Sequence, residues 1–319
     1  MTTIAAPPAE FGSAELRAGA TRVVVVPALG GKIVALELGG RDWLWRSRAR
    51  SARPADGAPY HETGDTGGID ECFPTVAPCV LPSAVARYGG LALPDHGELW
   101  SQPSTFALET RDDGVYASCA WHGRRMAYRF ARTIVARASA QVELRYVLTN
   151  DGRVPLPFIW SAHAVFPLDK DTRLALPDST RVRVWEEQGI ALGGPGAEMR
   201  WPRAVANGKM HDLSQPDAVA RAFAFTVYAD GAGERAAIEQ AGARLEAVLD
   251  GAPLGGFCIG VDKPAWSPFR RGRNAHRVVL APSIGAPASL ADAMGPWHAA
   301  ASVDAGATLE WTVTWRAVA

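Results

Sequence analysis

Three short stretches hold residue types that can move protons. In Leu93-Pro94-Asp95-His96-Gly97-Glu98-Leu99-Trp100 a histidine precedes a glycine, which leaves space above the imidazole for a ligand. An extended chain would put His96 and Glu98 on one face, about 7 Å apart. An imidazole would then sit beside a carboxylate, a pairing that tunes the ring's proton affinity. An ordinary loop histidine would look the same. In Phe158-Ile159-Trp160-Ser161-Ala162-His163-Ala164-Val165-Phe166 a second histidine interrupts an apolar run. Alone, His163 reads as a core residue with a satisfied hydrogen bond, so the two histidines matter as a pair or not at all. The third stretch, Gly67-Gly68-Ile69-Asp70-Glu71-Cys72-Phe73-Pro74, sets two carboxylates side by side. In extended chain only one of Asp70 and Glu71 can face a cleft, because successive side chains point to opposite sides.

Aromatic residues add a second kind of signal. The chain has 11 tryptophans, and the C–H face of a pyranose packs well on an indole. Trp100 and Trp160 each lie within four residues of a histidine and are the expected substrate-stacking residues. Trp43, Trp45, Trp311 and Trp315 follow apolar strand patterns and are expected in the core.

Other constellations carry less. Arg270, Arg271, Arg273 and His276 form a basic run that reads as a solvated loop, with an anionic substituent as the alternative occupant. His61, Glu62 and Asp65 have metal-binding side chains, but a Gly-rich polar loop needs no metal, and none is expected. Gly30-Gly31-Lys32 lacks the upstream glycine spacing and following Ser/Thr of a phosphate loop. Cys72, Cys79, Cys119 and Cys258 are too few for a disulfide framework and lack zinc-knuckle spacing, so they read as small buried hydrophobes.

These side chains must be carried by a mainly β chain. In Gln141–Asn150, Val142, Leu144, Tyr146 and Leu148 alternate with polar residues, the period of a half-buried strand. Leu309, Trp311, Val313 and Trp315 repeat the pattern near the C-terminus. Thr21–Pro27 is β-branched throughout and suits a strand covered on both faces. Further strands are expected at 32–38, 104–111, 115–121, 128–135, 157–166, 181–186 and 221–228, punctuated by Gly, Pro, Asn and Asp. Residues 233–249 are rich in helix formers. The alternation of Leu245, Ala247 and Leu249 and the surrounding strands favour a hairpin turning near Gln240–Ala243. Residues 47–68 and 187–220 read as long irregular loops.

Bulk composition narrows the partner. The 319 residues include 48% hydrophobic and 21% charged residues, with a formal net charge of zero. Nothing in that balance draws the chain to nucleic acid or an acidic membrane. No run approaches the roughly 20 apolar residues of a membrane helix. The N-terminal residues lack the pattern of a secretory signal. The expectation is one domain over 1–319, cytoplasmic, a monomer or homodimer, with a small neutral ligand.

The sequence resembles the aldose 1-epimerase (galactose mutarotase-like) superfamily. The matching stretches are GGKIVALELGGRDWLW, GGIDECFPTVAPC, LPDHGELW, FIWSAHAVFPL and VVLAPSIGAPASLADA, in family order over nearly the whole chain. The resemblance implies an all-β fold, the galactose mutarotase-like β-supersandwich, with a carbohydrate in an open cleft and no cofactor. It implies that His96 and His163 meet the region of the ring oxygen and that one acts as general acid. It also implies a glutamate as general base in a Leu-Glu-Pro step, where this chain has Leu280-Ala281-Pro282. The arginine that usually follows the His-Gly pair is missing, with Trp100 and Ser101 in its place. Glu71 and Glu98, then Asp70, are the expected substitutes for the base. A carbohydrate-binding protein without turnover is the alternative, and other chemistry on the same scaffold stays open.

Overall fold

The computed structural model describes residues 11–47, 53–62, 65–206, 208–219, 222–229, 235–263 and 276–318. Two antiparallel sheets dominate. The larger runs, in spatial order, through Ala14–Ala18, Thr21–Val26, Lys32–Leu38, Ile69–Cys72, Trp160–Pro167, Arg277–Ile284, Gly255–Lys263, Phe223–Ala229 and Arg181–Gln188. It then continues into a meander, Glu198–Arg200, Arg203–Ala206 and Lys209–Asp212. The second sheet, with eight strands among the described residues, has Thr308–Val318 and Gln141–Asn150 at its centre. Together they form the expected all-β sandwich.

Alternation explains why these segments pair as they do. In Gln141–Asn150 every second residue from Val142 to Leu148 is buried, and its partner Thr308–Val318 buries Trp311, Val313 and Trp315 on the same side. Strands with one apolar face must cover it, and the facing sheet does so. The Tyr146 and Trp311 rings stack with centroids 5.1 Å apart, and Trp160 of the larger sheet meets both edge-on. Trp43 is buried as expected, whereas Trp45 is only half-buried, under the Arg277 guanidinium.

Several expectations need adjusting. The 233–249 segment is the hairpin Arg235–Gln240 and Ala243–Asp250. Residues 187–220 are not an irregular loop, since the three-strand meander lies within them. Its short strands and their Gly and Pro neighbours hide the period-two pattern. Gly255–Lys263 and Arg277–Ile284 were not expected as strands. They sit in the middle of the larger sheet with nearly every residue buried or half-buried, even on the cleft side, and so lack an exposed polar face to mark the alternation.

Candidate functional site

The outer face of the larger sheet, turned away from the second sheet, carries a cleft of about 640 Å³, within the range of small-ligand sites. Both histidines line it. On Trp160–Pro167, Ala162, Ala164 and Phe166 point into the core, and His163 takes the opposite side. His96 arrives from a loop. Its ring centroid is 5.2 Å from that of His163, with the planes at 82°. Two residues 67 positions apart in sequence thus meet on one concave wall.

The loop holding His96 is a turn and not the extended chain expected. His96 and Gly97 both have positive φ, 56° and 72°. The His96 amide donates to the Val76 carbonyl at 2.6 Å, and the Glu98 amide to the Phe73 carbonyl at 2.7 Å. A Cβ on Gly97 would lie 2.1 Å from the Phe73 oxygen. The glycine therefore permits one backbone to cross another and does not open space for a ligand. Because the chain turns, the carboxylate beside the ring is Asp95, whose Oδ1 is 2.7 Å from His96 Nδ1. Tyr60 stacks on the imidazole at 3.7 Å with planes 8° apart. The Tyr60 amide donates to Asp95 Oδ2, and its hydroxyl donates to Asp70 Oδ2 at 2.7 Å. Burial and the Asp70 charge push the Tyr60 hydroxyl well above its usual range, so it stays a donor. Lys32 pairs with the same Asp70 oxygen.

The other expected site residues stand behind this wall. Glu98 is fully buried and accepts from the amides of Arg124 and Arg125 (3.1 and 2.9 Å), Arg125 Nη1 (3.1 Å) and the Tyr128 hydroxyl (2.8 Å). It ties one loop to another and does not reach the cleft. Glu98→Gln would turn an amide N–H toward these donors. We expect urea denaturation to show a loss of about 2–4 kcal/mol.

Glu71 is buried in the opposite direction from Asp70. Asp70 pairs in register with His163 and shares its face, so Glu71 points between the sheets. There it accepts from Arg132 Nη1 (2.8 Å), the Tyr146 hydroxyl (3.0 Å) and Trp160 Nε1 (2.8 Å). The expected ranking is reversed. Asp70 is on the cleft side, although Tyr60 and Lys32 cover it. Trp160 is a core residue bonded to Glu71. Trp100 is buried too, donating from Nε1 to the Asp95 carbonyl and meeting Tyr60 edge-on.

The sheet position beside His163 belongs to Ala281. Ser161 pairs with Ser283 and Val165 with Val279, which sets His163 level with Ala281, Cys258 and Tyr228 on successive strands. Burial raises the Cys258 thiol to about 12, which removes it as a nucleophile. The indole on this wall is Trp185. A bulge between Val184 and Glu186 inserts one residue against the neighbouring strand, and Trp185, Glu186 and Glu187 all line the cleft. Trp297 meets Trp185 edge-on at 6.2 Å.

At the far end of the cleft are Asp262 and Arg277, register partners on adjacent strands. Arg277 Nε lies 3.3 Å from Asp262 Oδ2, yet among the described residues neither Asp262 oxygen has a hydrogen-bond partner. Burial pushes the Asp262 carboxyl up to about 6, with Arg277 pulling it down. The folded chain holds this proton more tightly than the unfolded chain, so stability falls as pH rises from about 4 to 6. Asp262→Asn should melt higher than the parent above pH 6, by on the order of 2 kcal/mol, and match it below pH 4. Thermal melts across that range check the sign.

No family model and no characterised sequence matches this chain. Solved structures do. A candidate aldose 1-epimerase from Escherichia coli K12 superposes with a TM-score of 0.65 at 19% identity, covering 96% of this chain and 99% of that one. The chain has the galactose mutarotase-like fold. A galactose mutarotase-like protein from Lactobacillus casei (TM-score 0.59, 14% identity, 96% and 100% covered) and a galactose mutarotase related enzyme from Lactobacillus acidophilus (0.63, 13%, 97% and 98%) share this mutarotase-like architecture.

Sequence reasoning missed Tyr60, Trp185, Asp262 and Arg277, and gave no separate role to Asp95. For Asp262 a signal existed: a lone acid in the apolar run 255–263. The basic residues Arg270, Arg271 and Arg273 lie outside the described residues, as does the His61 side chain; His276 is exposed.

Proposed function

We propose that this chain binds an aldose in the mutarotase-like cleft and interconverts its anomers, with His96 as base and His163 as acid. The observation that carries this reading is the meeting of two imidazoles on one cleft wall, with Asp95 Oδ1 2.7 Å from His96 Nδ1. With Asp95 ionised, Nδ1–H of His96 is the donor between them, and the neutral ring's lone pair is on Nε2. That nitrogen takes the proton from the C1 hydroxyl. The C1–O5 bond breaks, and O5 receives a proton from His163. The aldehyde rotates about C1–C2, and the same steps in reverse close the ring with the opposite configuration. Each positioned acid or base contributes about 10²–10⁴-fold. This scheme replaces the expected carboxylate base, because Glu71 and Glu98 are both turned away from the cleft.

Exchange NMR on a panel of aldoses tests it. Faster exchange between anomers is expected for at least one sugar, and none for any sugar would sink the proposal. A second reading, binding without turnover, is favoured by the alanine at the sheet position beside His163. It predicts sugar affinity by calorimetry with anomer exchange at the uncatalysed rate.

A further inference from the structure

The two polar ends of the cleft are too far apart for one sugar ring. His163, Ala281, Cys258 and Tyr228 form one row across the sheet. Arg277, Asp262 and Ala224 form a second row, four residues further along the strands. Four residues of strand are roughly 13 Å, and the two strand spacings between His163 and Asp262 add roughly 10 Å sideways. After a hydrogen bond of about 2.8 Å at each end, more remains than the hydroxyls of one pyranose can bridge. The row between consists of Val279, Gly260 and Thr226, all lining the cleft. Gly260 has no side chain to interrupt the floor, so a ligand can lie continuously from one end to the other.

The far end has a defined chemical need. Asp262 is 8% exposed, and its two oxygens lack hydrogen-bond partners among the described residues. Buried carboxylate oxygens in folded proteins are nearly always bonded, and an exception calls for a cause. The charge is already offset, since Arg277 Nε is 3.3 Å away and its Nη1 donates to Thr66 Oγ1 at 2.8 Å. A neutral ion pair does not call for an anion or a cation. What is missing is donors, and two adjacent sugar hydroxyls supply two to one carboxylate.

We propose that Asp262 accepts the hydroxyls of a second sugar ring, so that the ligand is an oligosaccharide whose reducing-end ring lies at His96 and His163. This rests on the carbohydrate reading above. The buried acid fits such a role: burial raises it to about 6, and hydroxyl donors from a ligand would favour its charged form.

The test is calorimetry at pH 8 with monosaccharides and the 1,4-linked disaccharides that carry them at the reducing end. The parent should bind at least one disaccharide about tenfold more tightly than its reducing-end monosaccharide. In Asp262→Asn and Asp262→Ala that ratio should fall to about one, with the fold of each variant checked by circular dichroism. Equal affinity for mono- and disaccharide in the parent would overturn the second ring while leaving the sugar cleft intact. A ratio that survives both substitutions would overturn the role of Asp262. Failure to bind either class would remove the carbohydrate reading itself, and this inference with it.

Discussion

Glu71→Gln should destabilise the fold by about 3–5 kcal/mol, the usual cost of breaking a buried ion pair on one side. Arg132 is fully buried, and its guanidinium is shared among Glu71, the Gly31 carbonyl and the Cys119 sulfur. A glutamine keeps the shape but leaves the guanidinium charge without a counter-charge in a dry interior. It also turns one amide toward Arg132, Tyr146 or Trp160, all of which are donors. Urea denaturation with tryptophan fluorescence measures the loss. Replacing both ions, as in Glu71→Leu with Arg132→Met, should recover much of it, because no unpaired charge is left behind. A double variant as unstable as the single one would show that shape, not charge, dominates. The same substitution distinguishes structure from catalysis: any loss of activity should track unfolding and vanish where the variant is folded.

His163→Gln should do the opposite. The ring is half-buried at the cleft wall, so removing it leaves the core packing in place. On the proposed mechanism, anomer exchange falls by about 10²–10⁴-fold, or roughly 3–5 kcal/mol of barrier. Urea midpoints should change little. Exchange NMR at saturating sugar separates the chemical step from binding. An unchanged rate would remove His163 from the acid's role.

The β architecture was readable because alternation survives wherever one face of a strand meets solvent or the partner sheet is far away. Gln141–Asn150 and the C-terminal strand are such cases. Central strands whose cleft side is also apolar or buried lose that mark, which is why Gly255–Lys263 was not read as a strand, nor Asp262 as a site residue. The histidines were readable only as a pair, since each alone looks like an ordinary loop or core residue and the family resemblance is what joined them. Which carboxylate accompanies them was not. Face assignment depends on backbone direction, and the positive φ values at His96 and Gly97 turned Glu98 inward and brought Asp95 to the ring. For the adjacent acids, alternation correctly required opposite faces for Asp70 and Glu71. It carried no information about which face was which, since that depends on Arg132 and Tyr146 waiting in the other sheet.

That pair of acids gives Ile69–Cys72 an alignment key on each side. Asp70 answers Lys32 and Tyr60, while Glu71, one methylene longer, spans to Arg132, Tyr146 and Trp160. A slip by one residue would bring Ile69 to the Lys32 side or Cys72 to the Arg132 side, so one of the two cations would lose its acid. A strand of only four residues is thereby denied any neighbouring registration, and the ladder it shares with His163 keeps that imidazole at one height opposite the loop bearing its companion.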